Sequence, residues 1–209
     1  MSKLAEVKAQ VEAGKTKIVP GLVQEALDEG LAAKDILAAM VDAMGVVGDK
    51  FSAGEIFVPE MLIAGKAMQK GVEILKPALA GDSSISLGKC IIGTVQGDLH
   101  DIGKNLVCLM IESAGFEMID LGVDVSKETF VDTIKANPDV KVVALSALLS
   151  TTMPSMRDTV AAIKESGFTG FKTIVGGAPI TQEFAAEIGA DAYARDAGGA
   201  AIKVKELAS

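Results

Sequence analysis

The sequence predicts an α/β chain in two parts, a small N-terminal four-helix bundle followed by a five-stranded parallel sheet wrapped by helices. Three observations predict it. Helical periodicity is confined to roughly the first 80 of the 209 residues, a strand–helix alternation runs through the rest, and a Gly/Ser-rich stretch, PALAGDSSISLG at 77–88, lies between them. The boundaries that follow are a helical domain over 1–80, a linker over 81–88 and a sheet domain over 89–209.

In the first part, apolar residues return every three or four positions with no β-branched runs, which gives helices over 3–13, 17–29, 34–51 and 58–79. Ile36, Met40, Met44 and Val47 form one stripe; Leu62, Met68, Val72 and Leu75 form another. Pro59 suits the first turn of the last helix, where a missing N–H costs nothing. Short amphipathic helices on connections of a few residues pack as an antiparallel bundle. In the second part, KCIIGTVQ (89–96), FEMID (116–120), VKVVALSA (140–147), FKTIV (171–175) and DAYAR (191–195) are short apolar runs, each followed by a helical pattern. Repeated βαβ units make a parallel sheet with helices on both faces, and five strands suggest the flavodoxin-like, Rossmann-type order 2-1-3-4-5. In that order ligands sit at the carboxyl ends of strands 1 and 3, where the chain reverses direction.

Composition removes several function classes. A hydrophobic fraction of 49% builds real cores. A net charge of -8 with no basic block leaves no footprint for a phosphate backbone, so no nucleic-acid partner is expected. No apolar run of about 18 residues and no signal-peptide core occurs, so no membrane partner is expected and the location is cytoplasmic. Cys90 and Cys108 fall in a strand and a helix without zinc spacing and are expected to be reduced and inert.

The unusual residues gather on the ligand-binding edge. GDLHDIG after strand 1 carries Asp98, the chain's single histidine His100, Asp101, Ile102 and Gly103. LSALLSTTM at the end of strand 3 carries Ser146, Leu148, Ser150, Thr151 and Thr152, and VGGAPI after strand 4 carries Gly176, Gly177 and Ala178. Each has a plainer explanation. Asp98 or Asp101 can cap the helix starting near 102, Ser146 can be a tolerated strand-end hydroxyl, the diglycine a tight turn and the lone histidine a core residue. It is their convergence on one rim that favours a site. One histidine poorly serves a free transition ion. G-x-S-x-G, G-x-G-x-x-G and a Walker lysine are all absent, which removes the usual hydrolase, dinucleotide and nucleoside-triphosphate machinery. A metal whose other ligands come from an organic ring needs only one axial imidazole.

D-L-H-D-I-G at 98–103, S-A-L at 146–148 and G-G at 176–177 match the D-x-H-x-x-G, S-x-L, G-G signature of cobalamin-binding domains. VVGDKFSAGEIFVPEMLIAGKAM at 46–68 resembles the helical cap that precedes that domain in cobalamin-dependent methionine synthase, so the resemblance covers nearly the whole chain. Chains of this two-domain size resemble the corrinoid proteins of methyltransferase systems. The resemblance implies a cobalamin (corrinoid, cobalt) cofactor, with His100 as lower axial cobalt ligand in place of the cofactor's own dimethylbenzimidazole. Asp98 would accept from the other ring nitrogen and Ser146 would be the next member of that relay. It also implies cofactor contacts at Asp101, Ile102, Gly103, Leu148, Thr151, Thr152, Gly176, Gly177 and Ala178. The glycines would leave room for the nucleotide tail, and Tyr193, Ala194 and Asp196 resemble further tail positions. Phe51, Val58 and Met61 align with cap positions that shield the reactive face, although core packing explains Met61 equally well. Leu37 stands where methionine synthase carries a glutamate, so no role of that carboxylate carries over.

The implied function is a methyl carrier with no substrate site of its own. It would be loaded by a substrate-specific methyltransferase and unloaded by a second methyltransferase acting on tetrahydrofolate or a coenzyme thiol, with a reductive activase as a further partner. Methylamines, methanol, methoxylated aromatics and betaines are all donors for similar carriers. A cobalamin-binding sensor or regulator is the second reading, disfavoured by the lack of an attached DNA-binding or signalling domain. A carbon-skeleton mutase subunit is a third, disfavoured by the helical cap, and a flavodoxin-like domain that binds no corrinoid is the plainest.

Overall fold

The computed structural model describes residues 2–79 and 87–208. The expected linker, 81–88, lies outside the described residues except at Leu87 and Gly88. The chain divides into two compact units.

The first unit holds four helices: α1 (Lys3–Glu12), α2 (Val19–Asp28), α3 (Ala33–Ser52) and α4 (Val58–Leu79). Ser2 caps α1, its hydroxyl accepting from the Ala5 N–H. α1 packs on α2 and α3, and α4 packs on α2 and α3. The α3 stripe of Ile36, Met40, Met44 and Val47 is buried as expected. The α4 stripe is displaced by one residue at its start. Met61, Ala64, Met68 and Leu75 are buried, while Leu62 is exposed and Val72 half-buried. Spacings of three, four and seven keep Met61, Ala64, Met68 and Leu75 on one helical face, from which Leu62 and Val72 fall away.

The second unit alternates strands and helices: β1 (Lys89–Thr94), α5 (Ile102–Ser113), β2 (Glu117–Asp120), α6 (Lys127–Ala136), β3 (Val140–Ser146), α7 (Met153–Glu165), β4 (Lys172–Gly176), α8 (Gln182–Ile188), β5 (Ala192–Ala194) and α9 (Ala197–Ala208). The sheet is parallel throughout with order β2-β1-β3-β4-β5, which puts the switch point between β1 and β3. Val142 to Leu145 on β3 are consecutive buried residues, the signature of a strand covered on both faces. Ile91, Val143, Val175, Phe130, Met156 and Val160 form the centre of one core between sheet and helices. Ser126 and Thr181 cap α6 and α8 through their hydroxyls.

One detail of register positions the site. Thr94 pairs with Ser146, Ser146 with Gly176, and Gly176 with Ala194, so the carboxyl ends of β1, β3, β4 and β5 form one row. Everything that follows these residues emerges on the same ledge. A 3-10 turn, Ser150–Thr152, carries the chain from β3 into α7. Among the described residues no helix is long and apolar enough to cross a membrane.

Candidate functional site

The chain leaves β1 at Thr94 and turns at Gly97, which holds φ +85, a conformation glycine adopts freely. Asp98 follows, fully buried, and His100 next to it is 49% exposed at the side chain. Asp98 Oδ1 accepts from the His100 backbone N–H at 3.1 Å and meets His100 Nδ1 at 2.7 Å. Its Oδ2 accepts from the backbone N–H groups of Leu148 (2.7 Å) and Leu149 (3.3 Å) and from Thr152 Oγ1 (2.8 Å). Asp98 therefore does not cap α5; it ties the β1 loop to the β3 loop. Burial pushes its carboxyl toward the neutral form. The Leu148 N–H, the His100 ring, the Thr152 hydroxyl and the His100 N–H outweigh that and hold it well below the usual carboxylate range.

An ionised carboxylate only accepts, so the proton between the two side chains belongs to Nδ1 of His100. The tautomer is then fixed, and the lone pair lies on Nε2. Leu99 (72% exposed), Ile102 (87%), Leu148 and Leu149 surround the loop with apolar side chains left in water. Apart from its chain neighbours and the backbone of its own helix, no heavy atom stands within 4 Å of where a Cβ on Gly103 would lie. Among the described residues no group of three or more His, Cys, Asp or Glu side chains could hold a metal ion unaided. One oriented imidazole with apolar neighbours fits a metal already ringed by an organic macrocycle.

A family model described as the B12 binding domain matches residues 88–203, more than half of the chain, and a second of the same description matches residues 4–76. The chain belongs to the B12-binding family. Its cofactor is a corrinoid. The B12-binding chain is 43% identical over 204 residues to dimethylamine corrinoid protein 1 of Methanosarcina acetivorans, covering 96% of this chain and 89% of that one. It is similar to a cobalamin-binding protein of Desulfitobacterium hafniense, with 31% identity, TM-score 0.84 and 98% of each chain covered. It also matches the methanol:cobalamin methyltransferase complex of Methanosarcina barkeri at 25% identity and TM-score 0.81, covering 99% of this chain and 79% of that one.

Two expectations for the B12-binding site change in the structure. Ser146 is half-buried at the end of β3 and makes no hydrogen bond to Asp98. The hydroxyl that reaches the carboxylate is Thr152, because the 3-10 turn folds residue 152 back onto the β1 loop. The diglycine also has a reason internal to the protein. A Cβ on Gly177, which holds φ +123, would stand 1.8 Å from the Ala147 carbonyl oxygen, and one on Gly176 would stand 2.9 Å from the Ala194 oxygen. Glycine here lets neighbouring main chains touch. Open space is found instead at Gly103, the second residue of α5.

The remaining expected positions of the B12-binding chain divide between rim and scaffold. Asp101 sits just before α5, its carboxylate accepting from Asn105 Nδ2 at 3.2 Å. Ile102 at the start of α5, Thr151 in the 3-10 turn, and Leu148 and Ala178 in the loops are exposed on the ledge, whereas Thr152 is buried. Tyr193 is half-buried against the sheet core, and Asp196 Oδ1 accepts from the Gly199 N–H at 2.8 Å at the start of α9. In the helical unit, Met61 is fully buried, Phe51 half-buried and Val58 exposed. Both cysteines are free, Cys90 buried and Cys108 half-buried. Burial pushes their thiols up to about 12 and about 11 respectively. Sequence reasoning missed Leu99 and Leu149. The signal was an apolar residue in a loop on the ligand-binding edge: Leu99 between Asp98 and His100, and Leu149 between Leu148 and Ser150.

Proposed function

We propose that the chain is a corrinoid methyl carrier that binds its cofactor base-off with His100 as the lower axial ligand. The observation that carries this reading is the Asp98–His100 pair, a buried ionised carboxylate that holds Nδ1 of a half-exposed imidazole and so leaves the lone pair on Nε2. When bound, a corrinoid supplies a cobalt centre able to take a methyl group from one enzyme and yield it to another. The protein's part is orientation and proton control. Asp98 holds the Nδ1 proton and makes the ring a stronger donor at Nε2. Uptake of a proton at Nε2 would leave the ring a donor at both nitrogens and end its capacity as a ligand.

The relatives' names support methylated amines as the donor class, delivered by a substrate-specific methyltransferase. A second methyltransferase would remove the group to tetrahydrofolate or a coenzyme thiol, and a reductive activase would restore inactive cofactor. In this proposal the His100, Ile102, Leu148 and Gly103 ledge faces the ring and tail. The test is reconstitution with hydroxocobalamin followed by visible spectroscopy. The wild type is expected to give a base-off spectrum with a nitrogen lower ligand, and His100→Ala to lose it. An identical spectrum from His100→Ala removes the ligand assignment. Transfer of an isotopically labelled methyl group from an amine donor and its methyltransferase onto the loaded protein separates a carrier from a sensor.

A further inference from the structure

Two side chains outside the D-x-H-x-x-G stretch grip the segment that presents His100. Thr94, the last residue of β1, is fully buried, and its Oγ1 donates to the main-chain carbonyl of His100 at 2.9 Å. Asp124 lies in the loop between β2 and α6. Its Oδ1 accepts from the Gly97 N–H at 2.7 Å, and its own N–H donates to the Asp98 carbonyl at 2.9 Å. Among the described residues Asp124 is the one non-glycine with positive φ, at +54. Aspartate tolerates the left-handed region better than most residues but not without cost. Gly122, two residues earlier in the same loop, adopts +82 freely. A strained backbone persists where surrounding contacts fix it, and here those contacts are made to the ligand loop.

The grips are complementary. The Asp98 side chain fastens the loop to the β3 side of β1 through Leu148, Leu149 and Thr152. Asp124 fastens the main chain of the same residues to the β2 side, and Thr94 holds it from beneath. The Asp98 carboxylate holds the His100 N–H and ring, whereas the Gly97 N–H and the carbonyls of Asp98 and His100 are held by Asp124 and Thr94.

We propose that Thr94 and Asp124 are positioning residues that clamp the Gly97–His100 main chain so that Nε2 of His100 stays presented to the cofactor. This rests on the axial-ligand reading above. Each clamp is a single hydrogen-bonding side chain, so its loss is expected to weaken presentation about fivefold.

The test uses the full chain and four variants: Thr94→Val and Asp124→Ala, which remove the bonding groups, and Thr94→Ser and Asp124→Asn, which keep them. The single histidine makes its ring nitrogens an unambiguous nitrogen-15 signal in the cofactor-free protein. Hydroxocobalamin affinity comes from a visible titration. Thr94→Val and Asp124→Ala should each raise Kd about fivefold and mix the second ring tautomer into the nitrogen spectrum. Thr94→Ser and Asp124→Asn should stay within about twofold of wild type. Wild-type behaviour of both Thr94→Val and Asp124→Ala in both readouts overturns the proposal, as does equal loss in the conservative pair. Asp124 is exposed, so its variants remain informative if buried Thr94→Val fails to fold. His100→Ala run alongside separates the two ideas. Unchanged binding there defeats the ligand assignment, while the ring signals of the cofactor-free variants still decide the clamp.

Discussion

At the level of single residues, the buried carboxylate of Asp98 sets the behaviour of the site. Its pKa is lowered on folding, so between the folded and unfolded values the unfolded chain binds more protons and stability rises with pH. The contribution is complete above about pH 4, the ordinary aspartate value, and is lost as pH falls below that through the lowered one. Urea unfolding from pH 7 to pH 3 should show this slope, and Asp98→Asn should flatten it. At pH 7 the same variant is expected to cost about 2–3 kcal/mol, since an amide cannot satisfy five donors. An unfolding midpoint equal to wild type at both pH values would contradict this. Asp98 and His100 were legible in the sequence because two polar residues at a fixed spacing follow a strand at the switch point. Which hydroxyl meets Asp98 was not legible. Ser146 and Thr152 lie on the same segment, and the choice depends on a three-residue 3-10 turn that has no periodicity to announce it.

Among the elements, the strand ends and the start of α5 respond differently to one added methyl group. Gly177→Ala places a Cβ against the Ala147 oxygen at a φ that L-residues avoid. A loss of about 3 kcal/mol or more is expected in chemical denaturation, whether or not cofactor is present. Gly103→Ala meets nothing and replaces a glycine in a helix, so it should hold or raise stability by up to about 1 kcal/mol. If the corrinoid tail uses that open space, the same variant should weaken hydroxocobalamin binding in a visible titration. Stability and affinity then move in opposite directions. The strands were legible as short apolar runs, and their order followed from βαβ repetition. The reason for the diglycine was not legible, because the atoms that demand it belong to Ala147, just past β3, and to Ala194 on β5. The α4 stripe shifted for a related reason. Met61 and Leu62 are adjacent and both apolar, and only the neighbouring helices decide which of them is buried.

For the whole molecule, ligand binding and folding are linked. Hydroxocobalamin at about 100 times its Kd should add about 2.7 kcal/mol to the stability of the B12-binding protein, visible as a higher Tm in a thermal scan. His100→Ala should lose most of that increment and also lower the cofactor-free Tm, because buried Asp98 gives up its ring partner at 2.7 Å. The two-part architecture was legible because helical and alternating patterns occupy different stretches. The partner side chains of the site were less so, because they come from segments some 50 residues apart in the chain.

The row Thr94–Ser146–Gly176–Ala194 brings together positions from across a hundred residues of chain. Pairings between such distant segments form slowly, since loop closure must precede any gain from contact. A newly made polypeptide therefore has no grip for a corrinoid until its middle strands have zipped into register. Loading is therefore expected to follow folding, with the cofactor-free chain reaching this register before it can bind.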